Sequence, residues 1–444
     1  MVQTIEGSPR TLGLWPATAL VVGHTIAVGI FLTPAQLIGA LGAPALTLGL
    51  WLACGILVLA GALTFGELGA RYPHAGGPYI YLREGWGERI AFLYGWQSLL
   101  VMDPGLTAAL ATGLSQYLLV LWPAAAGSEK LLAIAAVWTL TLLNMAGLTL
   151  SARVLGLLTA LKLLALAAIV VAAFTIGEGS WSHFAPFTAR RAGAPPLVEA
   201  LALGLVGAFF SFGGFWEASR VAGEVRDPGR TLPVALALGV TSVTLAYVLT
   251  TVAFMYLVPP EGATSAAEFA RRAGHAVLGA AGPPVLASIV VLSVAASALA
   301  LLIMAPRLYV AMSRDGLFPA ALAAVRPGTD TPAGAMALLA FLASVYVLAG
   351  TFEQIVAFFL CTTLGFIALA AAALFVVRRR EPHGTPFRSP GYPVGPALFV
   401  LLIAAVVALV AMARPLQALA GFALVLMGLP AYRMLMRKSG VENS

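Results

Sequence analysis

The sequence predicts an all-α integral membrane protein of about twelve transmembrane helices, arranged as a five-plus-five inverted repeat with helices 1 and 6 broken, plus two extra C-terminal helices. Three observations predict it. The 444 residues are 60% hydrophobic and only 10% charged, where soluble domains carry about 25% charged residues. The apolar residues fall into separate stretches, most of them near the roughly 20 residues that cross a bilayer. Two of those stretches are interrupted near their centres by glycine and polar side chains.

The stretches run over 14–42, 44–68, 89–121, 130–149, 152–176, 197–221, 232–258, 283–312, 332–349, 353–377, 394–412 and 415–436. The first carries Gly23-His24-Thr25-Ile26-Ala27-Val28-Gly29-Ile30-Phe31. Glycine costs about 1 kcal/mol against alanine inside a helix. Non-helical backbone at membrane depth persists only where protein covers it or a cavity adjoins it. The interruption therefore reads as a binding site, with a plain glycine kink as the alternative. The sixth stretch has its own break at Phe210-Ser211-Phe212-Gly213-Gly214-Phe215. Five crossings is an odd number, so the second set runs through the membrane in the opposite sense. Glycine-interrupted segments at matching places in two halves point to an inverted-repeat transporter with its site between them.

This divides the chain into a tail 1–13, a transporter core 14–378 with repeats 14–176 and 197–378, helices 11 and 12 within 379–436, and a tail 437–444. An even number of crossings puts both tails on one side. Eighteen lysines and arginines, including Arg10, Arg71, Arg220, Arg226, Arg378 and Arg388, fall in the loops and tails of that side, and six fall on the other. That bias places both termini in the cytoplasm. The net charge of +7 follows from this loop pattern, so no nucleic-acid partner is implied. Cys54 and Cys361 lie inside apolar stretches and read as packing residues. The five histidines show no HExxH spacing, so neither a metal nor a cofactor is implied. No short apolar run with a small-residue cleavage site opens the chain.

With these motifs in place, the chain resembles the amino acid–polyamine–organocation transporters of the LeuT-like fold, as a bacterial permease near their L-type amino acid transporter branch. Gly23 to Phe31 is similar to the family's first-span motif. Glu67-Leu68-Gly69-Ala70-Arg71-Tyr72-Pro73 with Gly76-Gly77-Pro78-Tyr79 resembles the loop after span 2. Val221 to Pro228 with Leu232-Pro233 resembles the loop after span 6, and Pro306-Arg307 with Ala311 to Gly316 and Pro319 the end of span 8. Pro386-Phe387-Arg388 with Pro390-Gly391-Tyr392-Pro393 resembles the loop before span 11. Two departures stand out: Ala27-Val28 replaces the usual glycine-serine, and His24 stands where serine or asparagine is common. The loop motifs also have a plain reading as tight turns on the basic side of the membrane.

An amino acid offers a carboxylate and an ammonium. Unpaired amides at a helix N-terminus suit the carboxylate, which makes Val28, Gly29 and Ile30 candidates. Carbonyls at the end of the preceding half suit the ammonium, which makes Thr25 and Ile26 candidates, with Phe210 and Ser211 across from them; Gly213 frees the second break. The resemblance assigns the same roles, and it makes Phe210 the aromatic gate; the alternative is an ordinary lipid-facing or core phenylalanine. Ionisable side chains inside a span are costly and functional by default. Lys162 sits within span 5, where the resemblance implies a lysine in place of a sodium ion; it reads otherwise as a coupling residue or as a side chain snorkelling to the surface. His24, Asp103 and Glu217 are cavity candidates, each open to structural pairing or to contact with substrate or proton.

The resemblance implies a sodium-independent secondary transporter of amino acids in the cytoplasmic membrane, working by alternating access as an exchanger or with protons. A polyamine or cationic amino-acid antiporter is the second reading, resting on Asp103 and Glu217. A membrane-embedded enzyme is the third, and it lacks the clustered nucleophile and base that it needs.

Overall fold

A computed structural model describes residues 12–438, apart from 28, 75, 260–265, 315, 327, 328, 330 and 383. Most of the two expected tails therefore lies outside the described residues. Backbone in hydrocarbon must satisfy its own hydrogen bonds, which leaves this composition with helices. Among the described residues no sheet forms, and only two isolated bridges occur, Leu12 with Val225 and Arg326 with Thr331.

Helices α1 (Leu14–Thr25) and α2 (Gly29–Leu41) form the broken first stretch. α3 (Pro44–Arg71) returns, and α4 (Pro78–Trp86) lies in the following connection. α5 (Glu88–Gln97) and α6 (Asp103–Leu121) are joined by a π-helical turn, Ser98–Met102, into one continuous run. α7 (Glu129–Met145) and α8 (Leu148–Thr175) complete the first half. α9 (Leu197–Phe212) opens the second half and passes at its break into a 3₁₀ segment, Phe215–Glu224. α10 (Pro228–Leu257), the amphipathic α11 (Ala266–Leu278), α12 (Gly282–Arg314), α13 (Ala333–Ala349) and α14 (Phe352–Arg380) follow. α15 (Val394–Ala413), α16 (Pro415–Leu426) and α17 (Gly428–Lys438) end the chain.

Nine helical stretches among the described residues are long and apolar enough to cross a membrane, and Ala333–Ala349 is a shorter apolar helix. The first expected span falls below that length because its break leaves two pieces of 12 and 13 residues. The exterior is apolar, as lipid contact requires: Ile56 is 67% exposed and Leu164 69%.

The helices pack in two groups. α10 packs on both α3 and α1, and α2 packs on α9; α6 packs on α7, α12 and α13. α8 bridges them, touching α10 on one side and α12 on the other. Thr351 caps α14 reciprocally with Gln354: the Gln354 amide donates to Thr351 Oγ1 at 3.4 Å and the Thr351 amide to Gln354 Oε1 at 3.0 Å.

The loop motifs meet at the arginine-rich end. Glu67, fully buried near the end of α3, accepts from Arg71 Nε at 3.2 Å, Arg378 Nε at 2.8 Å and the Ser389 amide at 2.7 Å. The Arg378 guanidinium also lies 3.8 Å from the centre of the Tyr392 ring. These residues tie α3, α14 and the connection before α15 together, in line with a structural part for the motifs. Cys54 and Cys361 are both free and buried.

Candidate functional site

The two breaks cross at the centre of the molecule. α1 ends at Thr25, and Ile26 turns out of the helix with φ −73° and ψ 92°. α9 ends at Phe212; Gly213 is extended, with φ −55° and ψ 141°, and Gly214 adopts φ 103°. Only glycine takes that left-handed conformation without strain. A Cβ on Gly214 would stand 2.9 Å from His24 Cδ2. One on Gly29 would stand 2.6 Å from Ser211 Oγ and 2.8 Å from Ser211 Cα. Both glycines therefore permit the close approach of the two broken elements. Thr33 and Ser211 join them further by a hydroxyl–hydroxyl bond of 2.7 Å.

Around the crossing, the freed carbonyls already have donors. Lys162 of α8 is 2% exposed, and its ammonium donates to the carbonyls of Gly23 and Ile26, the latter at 2.8 Å, and to Ser297 Oγ of α12 at 3.2 Å. The end of α1 presents the negative end of its dipole there, and the ammonium fills it. The Tyr247 hydroxyl of α10 lies 2.6 Å from the Ser211 carbonyl and 3.1 Å from the Thr25 carbonyl, so one hydroxyl bridges both breaks. The Phe210 carbonyl accepts from the Gly213 amide at 3.0 Å. The Gly23, Thr25, Phe210 and Ser211 oxygens each keep a second lone pair, whereas the Ile26 oxygen also has Ser297 Oγ at 3.5 Å.

A cavity opens at this crossing. His24, Thr25, Ala27, Gly29, Phe210, Ser211, Gly213 and Glu217 of the broken elements line one side. The other side is mostly apolar: Met102 at the end of the π-helical turn with Leu106 and Leu110 on α6, Leu301 on α12, and Leu360 and Leu364 on α14, joined by the hydroxyls of Ser297 and Thr363. Spacings of four residues put each set on one helix face. Phe210 meets Phe352 edge to face at 6.2 Å. Ile26 and Ile30 are buried and border the break through their backbone, and Val28 lies outside the described residues.

Glu217 lies on the wall, held at 2.8 Å by Arg220 Nε. The charge bias groups Arg220 with the loops; the 3₁₀ segment instead keeps it inside the bundle, where its side chain is 8% exposed and Nη2 donates to Tyr94 Oη at 2.9 Å. Asp103 is fully buried but stands outside the cavity wall, and Tyr309 Oη of α12 donates to its Oδ2 at 2.7 Å. Tyr247, Tyr309 and the pairing of Arg220 were missed by sequence reasoning. The available signal was a tyrosine deep in an apolar helix, whose hydroxyl needs a partner when buried. No group of three or more potential metal ligands occurs among the described residues.

A model of the family described as "Amino acid permease" matches residues 12–429. The chain belongs to the amino acid permease family. The resemblance to amino acid–polyamine–organocation transporters is thereby established across nearly the whole sequence. This permease is 30% identical over 376 residues to the rabbit (Oryctolagus cuniculus) "b(0,+)-type amino acid transporter 1", covering 83% of this chain and 76% of the relative. It is 29% identical over 434 residues to the human "Cystine/glutamate transporter", covering 95% and 84%. It is 28% identical over 432 residues to the human "Large neutral amino acids transporter small subunit 2", covering 95% and 80%. The permease is thus an integral membrane transporter of amino acids, and its family and these relatives are transporters rather than enzymes.

Proposed function

We propose that this permease is a sodium-independent amino-acid exchanger of the cytoplasmic membrane, with twelve crossings and both termini in the cytoplasm. The observation that carries this reading is the Lys162 ammonium bonded to the carbonyls at the end of α1. A cation already occupies the place that the resemblance gives to sodium, so substrate binding needs no metal ion.

The substrate carboxylate faces the first-turn amides of α2, at Gly29, Ile30 and the neighbouring Val28. Its ammonium faces the Thr25, Ile26, Phe210 and Ser211 carbonyls. Gly213 lets the second break open towards it. Phe210, packed on Phe352, closes over the substrate from one side, and the group holding α1, α3 and α10 moves against the group holding α6, α7, α12 and α13. His24 lines the cavity beside the ammonium end.

The substrate side chain enters the compartment of Met102, Leu106, Leu110, Leu301, Leu360 and Leu364. That wall offers dispersion and no charge. The cationic antiporter reading needs a free carboxylate, but Glu217 is paired with Arg220 and Asp103 stands off the wall. Neutral, apolar amino acids therefore fit best, since an unpaired charge is costly to desolvate.

The test is competition against labelled leucine exchange in proteoliposomes by a panel of amino acids and polyamines, with sodium replaced by choline. Strong competition by isoleucine, methionine and phenylalanine, unchanged in choline, is expected. Competition led by arginine or putrescine, or uptake that requires sodium, would overturn it.

A further inference from the structure

A buried polar cluster that the exchange mechanism does not use reaches the cavity wall at Glu217. It contains Tyr94 of α5, Asp103 of α6, Glu217 and Arg220 of the 3₁₀ segment, and Tyr309 of α12. With the two tyrosines neutral, three charges would be present: Asp103 and Glu217 negative and Arg220 positive. Arg220 Nε forms an ion pair with Glu217 Oε2 at 2.8 Å without hydrogen-bond geometry, and its Nη2 donates to Tyr94 Oη at 2.9 Å. Asp103, fully buried, receives one hydrogen bond from the Tyr309 hydroxyl and makes no ion pair among the described residues. Asp103 Oδ1 and Arg220 Nη1 are both buried without a hydrogen-bond partner. A carboxylate isolated in this way is expensive, and a bound proton removes the cost.

We propose that Asp103 is a proton-binding site of the transporter. In the conformation described here its carboxyl holds a proton. When the 3₁₀ segment shifts during transport, Arg220 swings its unpartnered Nη1 onto Oδ1, the new ion pair displaces the proton, and water on the open side accepts it. The geometry supports the exchange because Arg220 belongs to the broken span while Asp103 and Tyr309 belong to the opposing group. The charges that act on Asp103 are those of Arg220 and Glu217. Its other titratable surroundings are Tyr309 on α12, Tyr94 on α5 and, one helical turn away, Tyr346 on α13, which donates to the Leu100 carbonyl; Cys361 on α14 turns its thiol to the Val407 carbonyl of α15 instead. His24 and Lys162 lie around the end of α1, with His24 within electrostatic reach of both Lys162 and Arg220.

The proposal rests on the transporter reading, so its test must separate the two. Proteoliposomes carry a trapped pH dye, saturating substrate on both sides and an imposed pH gradient, while labelled exchange is followed in parallel. Wild-type vesicles should lose the gradient several-fold faster with substrate than without. Asp103→Asn vesicles should exchange label yet hold the gradient as protein-free vesicles do. Tyr309→Phe, which keeps the carboxyl but removes its one hydrogen bond, should move the pH at which gradient loss is half-maximal. A wild type that exchanges without moving protons, an Asp103→Asn variant that still moves them, or an unmoved midpoint in Tyr309→Phe would each overturn the proton site and leave exchange standing. Absence of labelled exchange at every pH would overturn the transporter reading and this proposal with it.

Discussion

At Lys162 a single ammonium satisfies two carbonyls that the first break sets free and ties them to Ser297 across the bundle. Replacing it with methionine leaves buried acceptors without a donor, at a cost of about 1–3 kcal/mol each. Lys162→Met should therefore lower exchange about tenfold or more, measured as the initial rate of labelled exchange with the amount of folded protein held equal. A rate within twofold of wild type would remove Lys162 from the site. Gly29 offers a steric test. A methyl there meets Ser211 backbone at 2.8 Å, and overpacking of this kind costs about 1–3 kcal/mol. Gly29→Ala should abolish substrate binding, while Gly49→Ala, whose Cβ meets nothing within 4 Å, should bind normally; calorimetric titration separates the two. The positions of Lys162 and the glycines at the breaks were legible in the sequence because a charge or a helix breaker inside an apolar run is costly, whereas Phe210 was singled out by the family resemblance. Tyr247 was not, since a tyrosine counts as apolar in a hydropathy pattern and only its partner reveals it.

Elements show a different limit. The break in the first span was legible from Gly23 to Gly29, but the shape of the second was only half so. Gly213-Gly214 announced that α9 stops. Nothing in the composition of Phe215 to Glu224 announced a 3₁₀ segment that turns Glu217 and Arg220 towards each other inside the bundle. The π-helical turn at Ser98–Met102 was equally hidden. It leaves carbonyls beside hydroxyls of neighbouring helices: Tyr346 donates to the Leu100 carbonyl, and Tyr309 Oη lies 3.4 Å from that of Ser98, a placement that depends on tertiary neighbours. The motif residues Glu67, Arg71 and Arg378 were legible as a set but not as one cluster, because the pairing of α3 with α14 is remote in sequence. Removing one member of a buried ion pair costs about 3–5 kcal/mol. Glu67→Ala should accordingly lower the melting temperature in detergent by several degrees, read by intrinsic fluorescence, and an unchanged melting curve would contradict the part given to this cluster.

For the whole molecule, the order of spans and the basic bias predict which loops face the cytoplasm. Because Cys54 and Cys361 are buried, introduced cysteines report topology against a low background. Ser180→Cys, in the connection between α8 and α9, should react with a membrane-impermeant maleimide on intact cells. Thr385→Cys, between α14 and α15, should react only after permeabilisation. The reverse pattern would invert the orientation. The central claim is that one amino acid at a time crosses by exchange at the paired breaks. The most direct measurement is labelled leucine entry into proteoliposomes loaded either with unlabelled leucine or with buffer alone, in sodium-free medium. The account predicts rapid entry into the loaded vesicles and little into the empty ones. Equal entry into both, or entry that appears only when sodium is added, would contradict it.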